Sequence, residues 1–146
     1  MEKNRFVQTA EYHTHTFYSD GKGTMEQNVQ MARKIGLKTI GISDHGYRHM
    51  GFGVKYQDYP KMKEEILRLR EKYPDIEILL GVEANILDDS GEIDVDDFIL
   101  QYVDYVMAGY HFGSAITKMR GLRNHICNYI KPLKNLEIEY NTRALV

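Results

Sequence analysis

The chain has one cysteine, Cys127, so no internal disulfide can form, and a reducing compartment, the cytoplasm, is the expectation. No apolar run exceeds a few residues, which excludes a membrane-spanning helix. The opening stretch, MEKNRFVQTA, lacks the apolar core of a secretory signal. Charge of one sign is missing too. The 19 basic and 21 acidic residues leave a net −2, which provides no footprint for nucleic acid or an anionic membrane. A glycine-rich phosphate loop is also absent: SDGKG, residues 19–23, has neither the G-x-G-x-x-G nor the Walker spacing, which argues against a nucleotide-binding doubly wound fold. What remains is a soluble globular chain, 42% hydrophobic and 27% charged, whose 146 residues fit one domain or part of a larger one.

Strand-like and helix-like patterns alternate along it. RFVQTAEYHTHT (5–16) reads as a first strand. Thr24 opens a helix with Gln27 as its capping-box partner. Met25, Val29, Ala32 and Ile35 recur at helical spacing, and Gly36 closes the helix. LKTIGISDH (37–45) is a second strand. Asp58 and Pro60 mark another helix start, Met62, Ile66, Leu69 and Tyr73 form its apolar face, and Pro74 ends it. IEILLGVEANI (76–86) is a third strand. LDDSGEIDVDD (87–97) lacks the spacing of a calcium-binding loop and reads as a turn, then acids opening a short helix through Leu100. YVDYVMAGYH (102–111) is a fourth strand, a helix from about Ile116 to Ile130 follows, and NLEIEY (135–140) is a fifth strand. Such alternation with short connections implies βαβ units and a parallel sheet, here all or part of an α/β barrel.

The C-terminal ends of the first four strands read YHTHTFYSDG, GISDHG, GVEAN and AGYHFG. Each carries a metal-competent residue: His13 and His15, then His45, Glu83 and His111. Active sites of parallel barrels are built at this edge. On a strand, residues i and i+2 point to one face, so H-x-H aims two imidazoles at one point. Ser43, Gly81 and Gly109 lie two positions before His45, Glu83 and His111 and are expected to leave room for ions and substrate. Asp20 is either a further ligand or simply the turn residue that Gly21 suggests. Asp44 and Glu11 are candidates for carboxylates that orient a histidine, and for Glu11 a solvated or turn-pairing role is equally open. Arg48 and His49 sit in a loop at the same face, where either could meet an anionic substrate. His125 lies mid-helix, outside the series.

By these residues the chain resembles the PHP superfamily of metal-dependent phosphoesterases. HTHTFYSDG looks like its first motif, SDHG its second, the glutamate of GVEANI its third and GYHFG its fourth. The resemblance implies a distorted (β/α)7 TIM-like barrel with up to three divalent ions, Zn, Mn or Fe. His13 and His15 would share one ion with Glu83, Glu83 would bridge to a second held by His111, and Asp20 and His45 would belong to a third. It also implies hydrolysis of a small phosphorylated substrate by metal-activated hydroxide, histidinol phosphate being the nearest example.

The family's later motifs, one like His-Pro-Gly and one Asp-x-His, are not in this sequence. NTRALV (141–146) starts a helix that stops after about one turn, too short to be stable alone. Residues 1–146 are therefore expected to be the N-terminal portion of a PHP domain, roughly its first four to five β/α units. Such a half-barrel would self-associate to cover its edge. The competing readings are an inactive metal-binding or assembly fragment, a PHP-type nuclease, and an amidohydrolase. An amidohydrolase also opens with H-x-H but bridges its metals with a modified lysine where this chain has Glu83.

Overall fold

Local signals start and stop the helices. In the computed structural model, which describes residues 7–88 and 90–111, Thr24 accepts from the Gln27 N–H and the Gln27 side chain accepts from the Thr24 N–H. This reciprocal cap opens α1 (Met25–Lys34), and Gly36 beyond its end has φ +87°, a conformation glycine adopts without strain. Met25, Val29 and Ala32 are buried as expected, but Ile35 is 65% exposed. It caps the helix rather than belonging to it, so its side chain leaves the apolar stripe. A single 3₁₀ turn (Tyr56–Asp58) leads into α2 (Tyr59–Lys72), whose Met62, Ile66 and Leu69 are buried together with Tyr73 just past its end. A four-residue helix, α3 (Asp97–Leu100), is capped by Asp96, which accepts from the Ile99 N–H.

Four strands, β1 (Ala10–Glu11), β2 (Thr39–Ile42), β3 (Glu77–Asn85) and β4 (Tyr105–Gly109), pair in sequence order and all in parallel. The long β3 pairs with β2 through its first half and with β4 through its second, giving a curled half-barrel sheet with alternating helices. Ile40, Ile42, Ile78, Leu80 and Val82 alternate onto one face and bury against Met25, Val29, Met62 and Ile66 in a single core. The other, inner face carries Gly41, Ser43, Gly81, Glu83 and Asn85. Among the described residues, no helix is long and apolar enough to cross a membrane.

The first strand is far shorter than residues 5–16: the ladder holds only Ala10 and Glu11. Beyond it, backbone groups find other partners. Tyr12 O accepts from the Tyr105 hydroxyl, Thr14 Oγ1 donates to Gly41 O at 2.7 Å, and Thr14 O accepts from the Ser43 N–H at 2.8 Å. Residues 5 and 6 of the expected first strand, the expected helix 116–130 with His125 and Cys127, and the fifth strand 135–140 lie outside the described residues.

Candidate metal centre

Ladder register explains why the first strand must end early. Ala10 pairs with Thr39 and Glu11 with Ile40. Continued in that register, Tyr12 and Thr14 would share the inner face with Gly41 and Ser43, and both histidines would turn toward the helices. Release from the ladder after Glu11 lets them turn inward instead. The two Nε2 atoms come to 3.1 Å of each other, a convergence that H-x-H on a regular strand would not have produced here.

The Asp-Gly turn then folds back onto this segment. A Cβ on Gly21 would lie 2.5 Å from the His15 carbonyl, so only glycine permits the approach. The turn brings Asp20 Oδ1 to 2.6 Å from His15 Nδ1, and Asn28 on α1 donates to His15 O at 3.0 Å.

Glu83 is the hub. Its Oε1 lies 3.1 Å from His13 Nε2 and 3.0 Å from His111 Nε2, and its Oε2 lies 3.1 Å from both His15 Nε2 and His45 Nδ1. Each carboxylate oxygen thus faces two imidazoles brought from different segments. His45 extends the β2–β3 register by a bridge to Glu83, which fixes their relative height. Burial and the neighbouring His15 hold the His45 imidazole below its ordinary value. Burial pushes the Glu83 carboxyl up, but hydrogen bonding and charge from His111 and His13 outweigh it and hold the group below the usual range. The bond to His15 holds Asp20 low, against a smaller effect of burial.

Three sets of side chains bring ligand atoms within 4.8 Å of one another: His13, His15 and Glu83; His15, Asp20 and His45; His45, Glu83 and His111. His45 Nδ1 and Glu83 Oε2 are buried without a hydrogen-bond partner although 3.1 Å apart. Unshared electron pairs gathered this way cost free energy unless something positive lies among them. Imidazole nitrogens with carboxylate oxygens are the donor set of a divalent transition metal, so the residues fit such an ion.

Asp44 departs from the expected contact with a histidine ring, whereas Glu11 takes the turn-pairing role left open for it. Asp44 reaches no imidazole among the described residues: its oxygens accept from Thr16 N–H (2.7 Å), Thr16 Oγ1 (2.7 Å) and Ser19 Oγ (2.6 Å), pinning the loop between His15 and Asp20. Glu11 accepts from the His13 backbone N–H at 2.9 Å, not from its ring. Arg48 directs its Nε at Tyr47 Oη, 3.0 Å away, whereas the His49 ring stacks on His45 with centroids 4.9 Å apart. The expected room beside Gly81 is filled, because the Tyr105 ring occupies the space over Gly41 and Gly81. Gly109 does border the centre, with Glu83 Oε1 3.7 Å from where its Cβ would be.

Two residues escaped the sequence reading. Asn85 Oδ1 lies 2.8 Å from His111 Nδ1. Asp94, 1% exposed, accepts from the Asn85 N–H and Nδ2 at 2.6 Å each and from the Arg48 N–H at 2.9 Å. Asn85 stands two positions after Glu83, on the same face, which was a usable signal. Nothing local marks Asp94 among the acids of 88–97.

Comparison with known proteins agrees with the geometry. The family model for the PHP domain matches residues 11–143. A probable phosphatase of Caldanaerobacter subterraneus subsp. tengcongensis is 39% identical over 100 residues, 68% of this chain and 37% of that protein. One from Clostridium acetobutylicum is 31% identical over 106 residues, 68% of this chain and 39% of its own length. A DNA polymerase/3'-5' exonuclease of Bacillus subtilis is 32% identical over 100 residues, 68% of this chain and 17% of that protein. The chain thus spans under two fifths of the length of these probable phosphatases.

Proposed function

The chain belongs to the PHP domain family, and from that premise we propose that it carries the metal-binding half of a phosphoesterase acting on small phosphate monoesters. The observation that carries this reading is the contact of one buried glutamate, Glu83, with four imidazoles from three separate strand ends. His13, His15 and Glu83 would hold one divalent ion, His45, Glu83 and His111 a second, and His15, Asp20 and His45 a third. Glu83 belongs to two of these sets and would bridge them.

A divalent ion in such a centre supplies Lewis acidity toward phosphoryl oxygens and a water of lowered pKa. The chain's own residues keep the donors in place. Asp44 holds the Thr16–Ser19 loop, Gly21 lets Asp20 reach His15, and burial favours the neutral His45 imidazole, the form that can coordinate. Zinc, manganese and iron all suit this donor set.

Turnover of p-nitrophenyl phosphate by the chain loaded with Zn, Mn or Fe tests the proposal. Metal-dependent turnover lost in Glu83→Gln supports it. Turnover indifferent to chelator and to that substitution overturns it. The resemblance to the Bacillus polymerase/exonuclease supports a second reading, cleavage of phosphodiesters. Preference for bis-p-nitrophenyl phosphate over the monoester would favour that alternative.

A further inference from the structure

We infer that Asn85, locked by Asp94, is a positioning residue that sets which ring nitrogen of His111 faces Glu83. Asn85 Nδ2 and Oδ1 differ in what they can do: one donates, the other accepts. On one side the amide meets the Asp94 carboxylate at 2.6 Å and the Gly46 backbone carbonyl at 3.3 Å. A peptide carbonyl can only accept, so the Nδ2 end must lie on that side. The Oδ1 end is therefore turned to His111 Nδ1, 2.8 Å away. An oxygen there needs a proton from the ring, which places a hydrogen on Nδ1 and directs Nε2 at Glu83 Oε1, 3.0 Å away. A flipped amide would put N–H against Nδ1 and force the ring proton onto Nε2, facing the other ligands.

The lock is built deep in the fold. Asp94 is 1% exposed and Asn85 fully buried. Asp94 Oδ1 also accepts from the Asn85 backbone N–H, and Oδ2 from the Arg48 N–H, so the carboxylate ties the end of β3 to the loop after β2. Gly46 has to be glycine for this, since a Cβ there would collide with the Asp94 carboxylate. Hydrogen bonding to the remote nitrogen is how a ligating histidine is ordinarily oriented and its tautomer chosen. The significance of the tautomer for ion binding rests on the proposed metal centre; the tautomer itself does not.

The test reads the histidine tautomers directly. The 146-residue chain is labelled with ¹⁵N-histidine and stripped with chelator, and ring ¹H–¹⁵N spectra are recorded at about pH 8, where an ordinary imidazole is neutral. His111 should be the Nδ1–H form in the unsubstituted protein. In Asn85→Ala and in Asp94→Asn the Nδ1–H form should lose its dominance, and affinity for Mn²⁺ should fall about 10- to 100-fold. An Nε2–H ring in the unsubstituted chain overturns the inference, whether or not the variants fold. So does an unchanged His111 tautomer in a folded Asn85→Ala. An Nδ1–H ring in a chain that takes up no Mn²⁺, Zn²⁺ or Fe²⁺ would leave the positioning role standing and remove the metal reading instead.

Discussion

Glu83 Oε2 and His45 Nδ1 are buried 3.1 Å apart, and neither has a hydrogen-bond partner among the described residues. In an ordinary core such a pair would be a defect of about 1–3 kcal/mol for each unsatisfied group. In a centre built for a cation it is the expected arrangement, because the same lone pairs are satisfied when the ion is bound.

That gives a test by substitution. Glu83→Gln removes the charge with little change of shape. Without metal, the variant should unfold at a lower urea concentration than the unsubstituted chain, because, against burial, hydrogen bonds and charge from His111 and His13 favour the ionised glutamate in the folded state. With saturating Mn²⁺ the gap should widen, since an ion at about 100 times its dissociation constant stabilises the chain that binds it by about 2.7 kcal/mol. A variant still stabilised by metal to the full extent would contradict the role given to Glu83.

Gly21→Ala should act on the turn that carries Asp20. The added methyl meets the His15 carbonyl at 2.5 Å, and overpacking of this kind costs about 1–3 kcal/mol. Thermal unfolding would show the loss, and Asp20 should leave His15. Gly51→Ala is the control, because nothing lies within 4 Å of its Cβ position. Equal behaviour of the two variants would refute the packing argument.

Tyr59, the first residue of α2, is buried with no partner for its hydroxyl among the described residues, and burial pushes that phenol far above its ordinary value. Tyr59→Phe removes an unsatisfied polar atom while keeping the ring. Chemical denaturation should find the variant as stable as the parent or more so, by up to about 2 kcal/mol. A clear destabilisation would mean that the hydroxyl has a partner this account lacks.

Asp104 joins α2 to the sheet. It accepts from Lys63 Nζ at 2.8 Å, from Arg70 at 2.6 Å and from the Leu80 N–H at 2.8 Å. Burial pushes its carboxyl up, but the bonds from Lys63 and Leu80 and the Arg70 charge hold it below the usual range. A lowered folded value means that the stabilisation is present above the unfolded pKa of about 3.9 and disappears as pH falls through the folded one. Asp104→Asn should therefore cost about 1–3 kcal/mol at pH 7 and progressively less as the medium is acidified below about pH 4. A pH-independent difference would show that charge is not what Asp104 contributes.

Local features were the legible ones. The Thr24–Gln27 cap, the buried face of α2 and the parallel alternation of strands and helices all follow from patterns within a few residues. The convergence of His13, His15, His45, Glu83 and His111 was legible because one rule of the sheet edge governs all of them. Its mechanism was not: the early end of β1 depends on register with β2, about thirty residues away, which is a property of the assembled sheet. The space beside Gly81 was read as empty because the Tyr105 ring that fills it comes from the next strand. Asp44, a candidate to orient a histidine, holds Thr16 and Ser19 instead, a choice that depends on how the loop folds. Asp94 finds Asn85 only once β3 is formed.

The central claim is that these side chains hold metal, and elemental analysis of the purified chain tests it most directly, beside a His13→Ala/His15→Ala control. The account predicts near-stoichiometric or higher Zn, Mn or Fe in the unsubstituted chain, with the ions lost or sharply reduced in the control. Equal metal in both, or none in a folded chain dialysed against each of the three, would contradict it.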